Sequence, residues 1–296
     1  MSFPRTARRL TSSLLIASAL AGCDLQKDID VPIPAYDSQL VVECYLVPGQ
    51  PVRLLIQEAV PFKAAPDPII VPGPDGPDTL RLALVPRAVA VISGPRDYVD
   101  TIRFSPSVDT TSKNIRGYTH TSFRPFNGRP GETYSLVVYD DEGRRVTGTT
   151  TVLAPVPINT VDVAFNPDEP WEEAKASVLM RFQDPAPGGD FYRYQVNQIA
   201  RGRLDRRQGF AFPDDQFNGR ESSVGSSYRF PQGDTMEVVL YHIDRAYYNY
   251  LRSVDDAQDA NGNPFAQPAR IKSTVEGGLG VFTNLAADRR RLILKR

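Results

Sequence analysis

Proline- and glycine-rich turns cut this chain of 296 residues into short runs in which apolar and polar side chains alternate, a rhythm that suits strands far better than helices. Residues 40–47 read as a strand whose side chains point alternately to its two faces, Pro48-Gly49-Gln50-Pro51 turns the chain, and 52–57 returns. Further strands are expected over 80–84, 88–92, 117–123, 159–165, 176–184, 191–200 and 234–243, with 271–282 and 291–294 closing the chain. The clearest hairpin joins 134–139 to 145–152 through Asp140-Asp141-Glu142-Gly143. One segment departs from this rhythm: Asp244 can cap a short helix in which Tyr247, Leu251 and Val254 form one apolar stripe. Two stretches predict loops, the proline-dense 66–78, which is short of backbone donors, and the polar 201–219. The whole predicts an all-β (mainly β) protein of two β-sandwich domains, the first immunoglobulin-like, with one short helix near the C-terminus.

The first two dozen residues follow a different pattern. Arg5, Arg8 and Arg9 precede an apolar stretch over 10–20, the layout of a secretory signal peptide. The stretch closes on Leu20-Ala21-Gly22-Cys23, a lipobox, so residues 1–22 are expected to be a lipoprotein signal and Cys23 the acylated (palmitate-type) start of the mature chain. Residues 23–34 then form a polar, Pro-punctuated tether with little to bury. Pro155-Val156-Pro157 marks the expected boundary between a first domain over 35–156 and a second β-rich domain over 157–296. No later stretch supplies the roughly 18 uninterrupted apolar residues of a membrane span, so attachment through lipid alone is expected.

Charge and cysteine use narrow the function further. Lys and Arg total 34 against 35 Asp and Glu. Loss of a leader with three arginines and no acid makes the remainder more acidic, a poor match for nucleic acid. Of two cysteines, Cys23 is committed to lipid and Cys44 has no partner for a disulfide. Cys44 shares a strand face with Leu40, Val42 and Leu46, which reads as a small buried hydrophobe rather than a nucleophile.

The residues available for chemistry are few. His120 lies between Thr119 and Thr121 on an expected edge strand and is read as a surface residue. His242 alternates with Val238 and Leu240 and is read as a core or interface histidine. Neither a Gly-x-Ser-x-Gly elbow nor a His/Cys zinc cluster is present. Asp259-Ala260-Asn261-Gly262-Asn263 begins like a calcium loop, but Pro264 and Arg270 stand where Gly and Glu are required. Asp184, Asp190, Asp205, Asp214 and Asp215 could supply a weak calcium set and are read instead as solvated loop acids. Glu276-Gly277-Gly278-Leu279-Gly280 lacks the Lys-Ser/Thr ending of a phosphate loop and predicts a strand with close backbone approach. No catalytic residue, metal site or cofactor is expected. The candidate partner surface comprises Arg201, Arg203, Arg206 and Arg207 on the polar loop, with Tyr247 and Tyr248 on the helix.

Several of these segments, taken in order, resemble a family. They are the lipobox, the strand Leu40-Val41-Val42-Glu43-Cys44-Tyr45-Leu46, Tyr134-Ser135-Leu136-Val137-Val138, and Phe182-Gln183-Asp184-Pro185 with Tyr192 and Tyr194. Phe217-Asn218-Gly219, Asn263-Pro264-Phe265-Ala266-Gln267-Pro268 and Glu276-Gly277-Gly278-Leu279-Gly280-Val281-Phe282 follow. Together they are similar to a Bacteroidetes family of outer-membrane lipoproteins catalogued as a domain of unknown function, often encoded beside TonB-dependent receptors. Cys44 departs from it, standing where a small neutral residue is expected. The resemblance implies a lipid-anchored outer-membrane protein, and the acids behind Cys23 resemble surface-export signals of the same bacteria. It implies a non-enzymatic accessory of a TonB-dependent receptor, capturing a small-molecule or peptide substrate or capping the barrel in nutrient uptake. A structural or adhesive envelope lipoprotein with no transported ligand is the alternative. The family brings no assigned active site, so no catalytic role is carried over.

Overall fold

A computed structural model describes residues 38–60, 66–73, 75–170, 172–186, 188–260 and 270–295, apart from the side chain of Arg206. The leader, the lipobox Leu20–Cys23 and the tether lie outside these residues, which belong to one unit of the chain, 38–296. The unit is mostly strand, with a single helix among the described residues.

Its first half is built from β1 (Leu40–Leu46), β2 (Pro51–Glu58), β3 (Pro68–Gly73), β4 (Gly76–Arg81) and β5 (Val89–Gly94). These are followed by β6 (Tyr98–Ile102), β7 (Phe104–Asp109), β8 (Arg116–Pro125), β9 (Thr133–Tyr139) and β10 (Arg145–Thr151). The second half holds β11 (Ile158–Phe165), β12 (Ala176–Gln183), β13 (Phe191–Ala200), β14 (Arg203–Pro213), β15 (Glu221–Gly225) and β16 (Thr235–Ile243). After α1 (Arg245–Ala260) come β17 (Val275–Glu276), β18 (Leu279–Asn284) and β19 (Ala286–Ile293).

Alternation decides which faces meet. In β1, Leu40, Val42, Cys44 and Leu46 are buried while the residues between them are only partly covered. They pack with Leu54 and Ile56 of β2 and with Ile92, Leu136 and Val138 from the facing sheet. The two sheets run β18-β1-β2-β8-β7 and β17-β10-β9-β5-β6. Cys44 is fully buried, and burial pushes its thiol far above the usual range, as expected of an inert core cysteine. A second core, with Val178, Met180, Phe182, Tyr192, Val196 and Leu240, lies between sheets β11-β12-β15 and β14-β13-β16-β19.

The C-terminal segment does not stay in the second half. From β16 the chain enters α1, whose N-terminus is capped by Asp244: its Oδ1 accepts from the backbone N–H of Tyr247 at 2.7 Å. The chain then adds β17 antiparallel to β10 and β18 parallel to β1 before β19 returns to β16. A division at 156/157 therefore leaves the first sandwich without its last two strands. The glycines of the tail allow this approach. Gly280 pairs with Val42 at φ +120°, and a Cβ there would be driven into the Val42 carbonyl. A third cluster, including Tyr45, Val281, Val239, Tyr241 and Tyr247, fills the layer between the two sandwiches.

Three local expectations are corrected. The proline-dense stretch is a hairpin, β3 with β4, because its paired prolines stand at 68, 72 and 77. Pro72 faces Pro77, and Pro68 lies four residues before Pro72, so all three fall in pairs that exchange no backbone hydrogen bonds. Of the polar stretch 201–219, residues 203–213 are strand β14, with turns at 201–202 and 214–219. His120 is fully buried, since β8 is an inner strand between β2 and β7 and not an edge. Its Nε2 faces the Ala88 carbonyl at 2.9 Å and its Nδ1 the Thr119 hydroxyl at 2.9 Å, and burial lowers its pKa.

Candidate functional site

Two regions bring polar side chains together. The first is built by the β13–β14 hairpin. Its tip is Arg201-Gly202, with φ of +51° and +79°, the two-residue turn whose twist matches a hairpin. This tip docks on the first sandwich: Leu204 N–H donates to the Thr111 carbonyl at 2.9 Å, and Lys113 N–H to the Leu204 carbonyl at 2.8 Å. Lys113 pairs with Asp205 at 3.4 Å, and Arg203 with Asp75 at 3.3 Å.

A cleft of about 290 Å³ opens beside this contact, walled by Lys113, Arg201, Arg203 and Asp205. A second, of about 270 Å³, is walled by Asn114, Arg116, Tyr118, Asp205 and Arg207. Leu204 and Asp205 border both clefts, which flank the contact between the hairpin tip and the first sandwich. Arg116 is held by Glu43, with its guanidinium 5.3 Å from the centre of the Tyr45 ring and 5.4 Å from that of Tyr118.

Of the residues expected to form a partner surface, Arg201 and Arg203 line the first cleft and Arg207 the second, and the side chain of Arg206 lies outside the described residues. The two tyrosines do not join them. Tyr247 is buried under α1, meets Tyr45 edge-on at 5.9 Å, and its hydroxyl accepts from Arg193 at 2.8 Å. Tyr248 packs inward on Phe191, with ring centres 4.8 Å apart. Position on the inner face of the helix removes Tyr247 from any partner surface.

The second region was not legible as a site. Asp184 follows β12, Asp190 precedes β13 and Asp214 follows β14, and His242 lies on β16. Asp184 and Asp214 are buried, not solvated, and one carboxylate oxygen from each of the three acids lies within 4.8 Å of the others. The Tyr192 hydroxyl donates to Asp184 Oδ1 at 2.5 Å and Gly219 N–H to Oδ2 at 2.7 Å. Gly189 N–H donates to Asp214 Oδ2 at 2.9 Å. Burial, reinforced by the bond to Asp184, pushes the Tyr192 phenol far above its usual range, so it remains a donor.

His242 stacks on Tyr192 at 5.5 Å, with Nδ1 2.8 Å from the Ala154 carbonyl and Nε2 3.0 Å from Asp190 Oδ1. Both ring nitrogens thus face acceptors. Each ring nitrogen therefore has a partner within the fold. The adjoining cleft, about 580 Å³, is walled by Pro155, Pro157 and Pro185, and none of its lining residues is Ser, Thr or Cys. Asp184, Asp190 and Asp214 are the described residues whose donor set suits a hard cation such as calcium, though the internal hydrogen bonds above already engage these carboxylates.

Among families, the one described as a domain of unknown function, DUF4249, matches residues 26–291. No curated protein matches the chain.

Proposed function

We propose, from the premise that the chain belongs to the DUF4249 family, that it is an outer-membrane lipoprotein held by lipid on Cys23. In this reading it is a non-enzymatic accessory of a TonB-dependent receptor, capturing substrate or capping the barrel. The observation that carries the anchor is Leu20-Ala21-Gly22-Cys23 behind a basic, apolar leader. No helix among the described residues is long and apolar enough to cross a membrane. The site geometry is compatible with binding: His242 has both nitrogens engaged, His120 is sealed in a core, and the clefts beside the hairpin are lined with polar and charged groups. The Bacteroidetes lineage and the receptor partnership rest on the sequence resemblance.

The test is affinity purification of the intact chain from gently solubilised native membranes, with mass spectrometry of what remains bound. A stoichiometric TonB-dependent barrel is the expected result. A lipoprotein that elutes alone would overturn the accessory role.

A further inference from the structure

We infer that one face of the β3–β4 hairpin is a membrane-docking surface, laid against the bilayer that holds the lipid on Cys23. It rests on the lipid anchor and does not need the receptor. Strand register assembles the face. Pro68 stands opposite Arg81, Ile70 opposite Thr79, and Pro72 opposite Pro77, so these six side chains share one side of the hairpin. All six residues are exposed, Ile70 by 67%. The other side is turned to the body of the sandwich. Ile69, Val71 and Leu80 are partly covered there, and a Cβ on Gly117 of β8 would lie 2.7 Å from Leu80 Cδ1.

Place, charge and backbone together select lipid as the occupant. The described residues begin at Ser38, whose hydroxyl donates to Glu58, and the Glu58 N–H donates to the Ala83 carbonyl at 2.9 Å. Ala83 follows closely on Arg81, where the hairpin ends, so the chain leading to Cys23 leaves beside the hairpin base. Cys23 lies 15 residues before Ser38, a reach of at most roughly 50 Å, which keeps this end of the sandwich near the bilayer. A short tether also raises the local concentration of bilayer, so a small apolar contact suffices. The face itself carries no acid and one cation, Arg81 at its base, which suits headgroup phosphates. Asp78 lies on the covered side, Asp67 just outside the strand, and Asp75 in the turn, held by Arg203. The six residues of the face fall in pairs that exchange no backbone hydrogen bonds, so any N–H they have points outward. Three are prolines without an N–H, and the Thr79 N–H is taken by Asp78 Oδ1 at 2.7 Å. Edges so short of donors are poor templates for a peptide or a second copy. The same shortage lowers the cost of entering an apolar medium.

The test uses the full-length lipoprotein, added from detergent to preformed vesicles of phosphatidylethanolamine and phosphatidylglycerol. Thr79→Cys places one reactive thiol on the face, because Cys23 carries the lipid and Cys44 is fully buried. Phe123→Cys is the control. Phe123 is 90% exposed and lies near the Pro51–Pro125 pair, at the end of β2 away from Glu58 and Ser38. A fluorophore on each thiol is quenched with aqueous iodide. Loss of one buried isoleucine shifts the docked-to-free ratio about tenfold, so quenching at 79 should be at least about threefold below that at 123, and Ile70→Asp should restore it. The thermal midpoint of Ile70→Asp should match the parent, because Ile70 is largely exposed. A chain that floats with the vesicles while 79 quenches as freely as 123 overturns the inference and leaves the anchor standing. A chain that does not float with the vesicles overturns both. Protection that Ile70→Asp leaves intact also overturns the inference, and protection that fades on dilution at constant lipid assigns the face to a second copy instead.

Discussion

Replacement of Gly280 by alanine tests whether the first sandwich depends on the returning tail. Gly280 faces Val42 in the parallel β1–β18 ladder, and its φ of +120° is a conformation that side chains rarely adopt. A Cβ would lie inside 3.0 Å of the Val42 carbonyl, a backbone atom that cannot swing aside. The neighbouring residues leave no slack, since Val281 is buried in the layer between sandwiches and Phe282 in the first core. Backbone strain of this kind costs about 1–3 kcal/mol. Crowding of a packed site costs about 1–3 kcal/mol more. The alanine also stiffens the unfolded chain, which returns about 0.4–1 kcal/mol. The expected net loss is therefore about 2–5 kcal/mol, a large share of the 5–15 kcal/mol typical of a folded domain. Gly233 is the control. Its φ is +91°, yet nothing lies within 4 Å of the place a Cβ would take, so Gly233→Ala should show conformational strain alone, about 1–2 kcal/mol. Urea unfolding followed by far-UV circular dichroism measures both. If Gly280→Ala falls within about 0.5 kcal/mol of Gly233→Ala, β18 is not closely seated on β1 and the reasoning is refuted.

Two further outcomes follow from the interior. Burial pushes the Cys44 thiol and the Tyr45, Tyr192 and Tyr194 phenols well above their ordinary values, so the folded chain keeps protons that the unfolded chain releases. Stability from these groups is fully present below about pH 8.5, begins to fall there as unfolded Cys titrates, and falls faster above about pH 10 with Tyr. A urea midpoint that stays level from neutral pH to about 11 would contradict this burial. At the acid cluster, internal donors already engage Asp184, Asp190 and Asp214, so about 5 mM calcium should move the thermal midpoint by less than about 1 °C. A rise of several degrees would instead make these residues a cation site.

How much of this was legible depended on whether one face of a segment was plainly apolar. β1, the β9–β10 hairpin and the Asp244 cap carry their signals within a few residues, and all three appear where periodicity and capping chemistry place them. β14 was missed because Arg207 on its junction face and Gln208, in line with Phe210 and Phe212 on the other, leave only a short apolar alternation. β3 and β4 were missed because counting prolines overlooks their parity, which alone decides whether a ladder loses a donor. Of the residues read as a partner surface, Arg201, Arg203 and Arg207 line clefts beside the hairpin, whereas the tyrosine-rich helix turns Tyr247 inward because both sandwiches, far apart in sequence, pack on it. The acid–histidine cluster joins three loop positions to a central strand, and no spacing along the chain announces such a meeting.

The return of β17 and β18 to the first sandwich also has a cost in time. Strand β10 is complete at Thr151, but its neighbour begins only at Val275. Until that neighbour docks, β1 and β10 present open edges, each a template for pairing with another chain. A chain that gathers its first core before its tail arrives is therefore unsealed on both sheets, waiting on glycines about 240 residues after β1 begins.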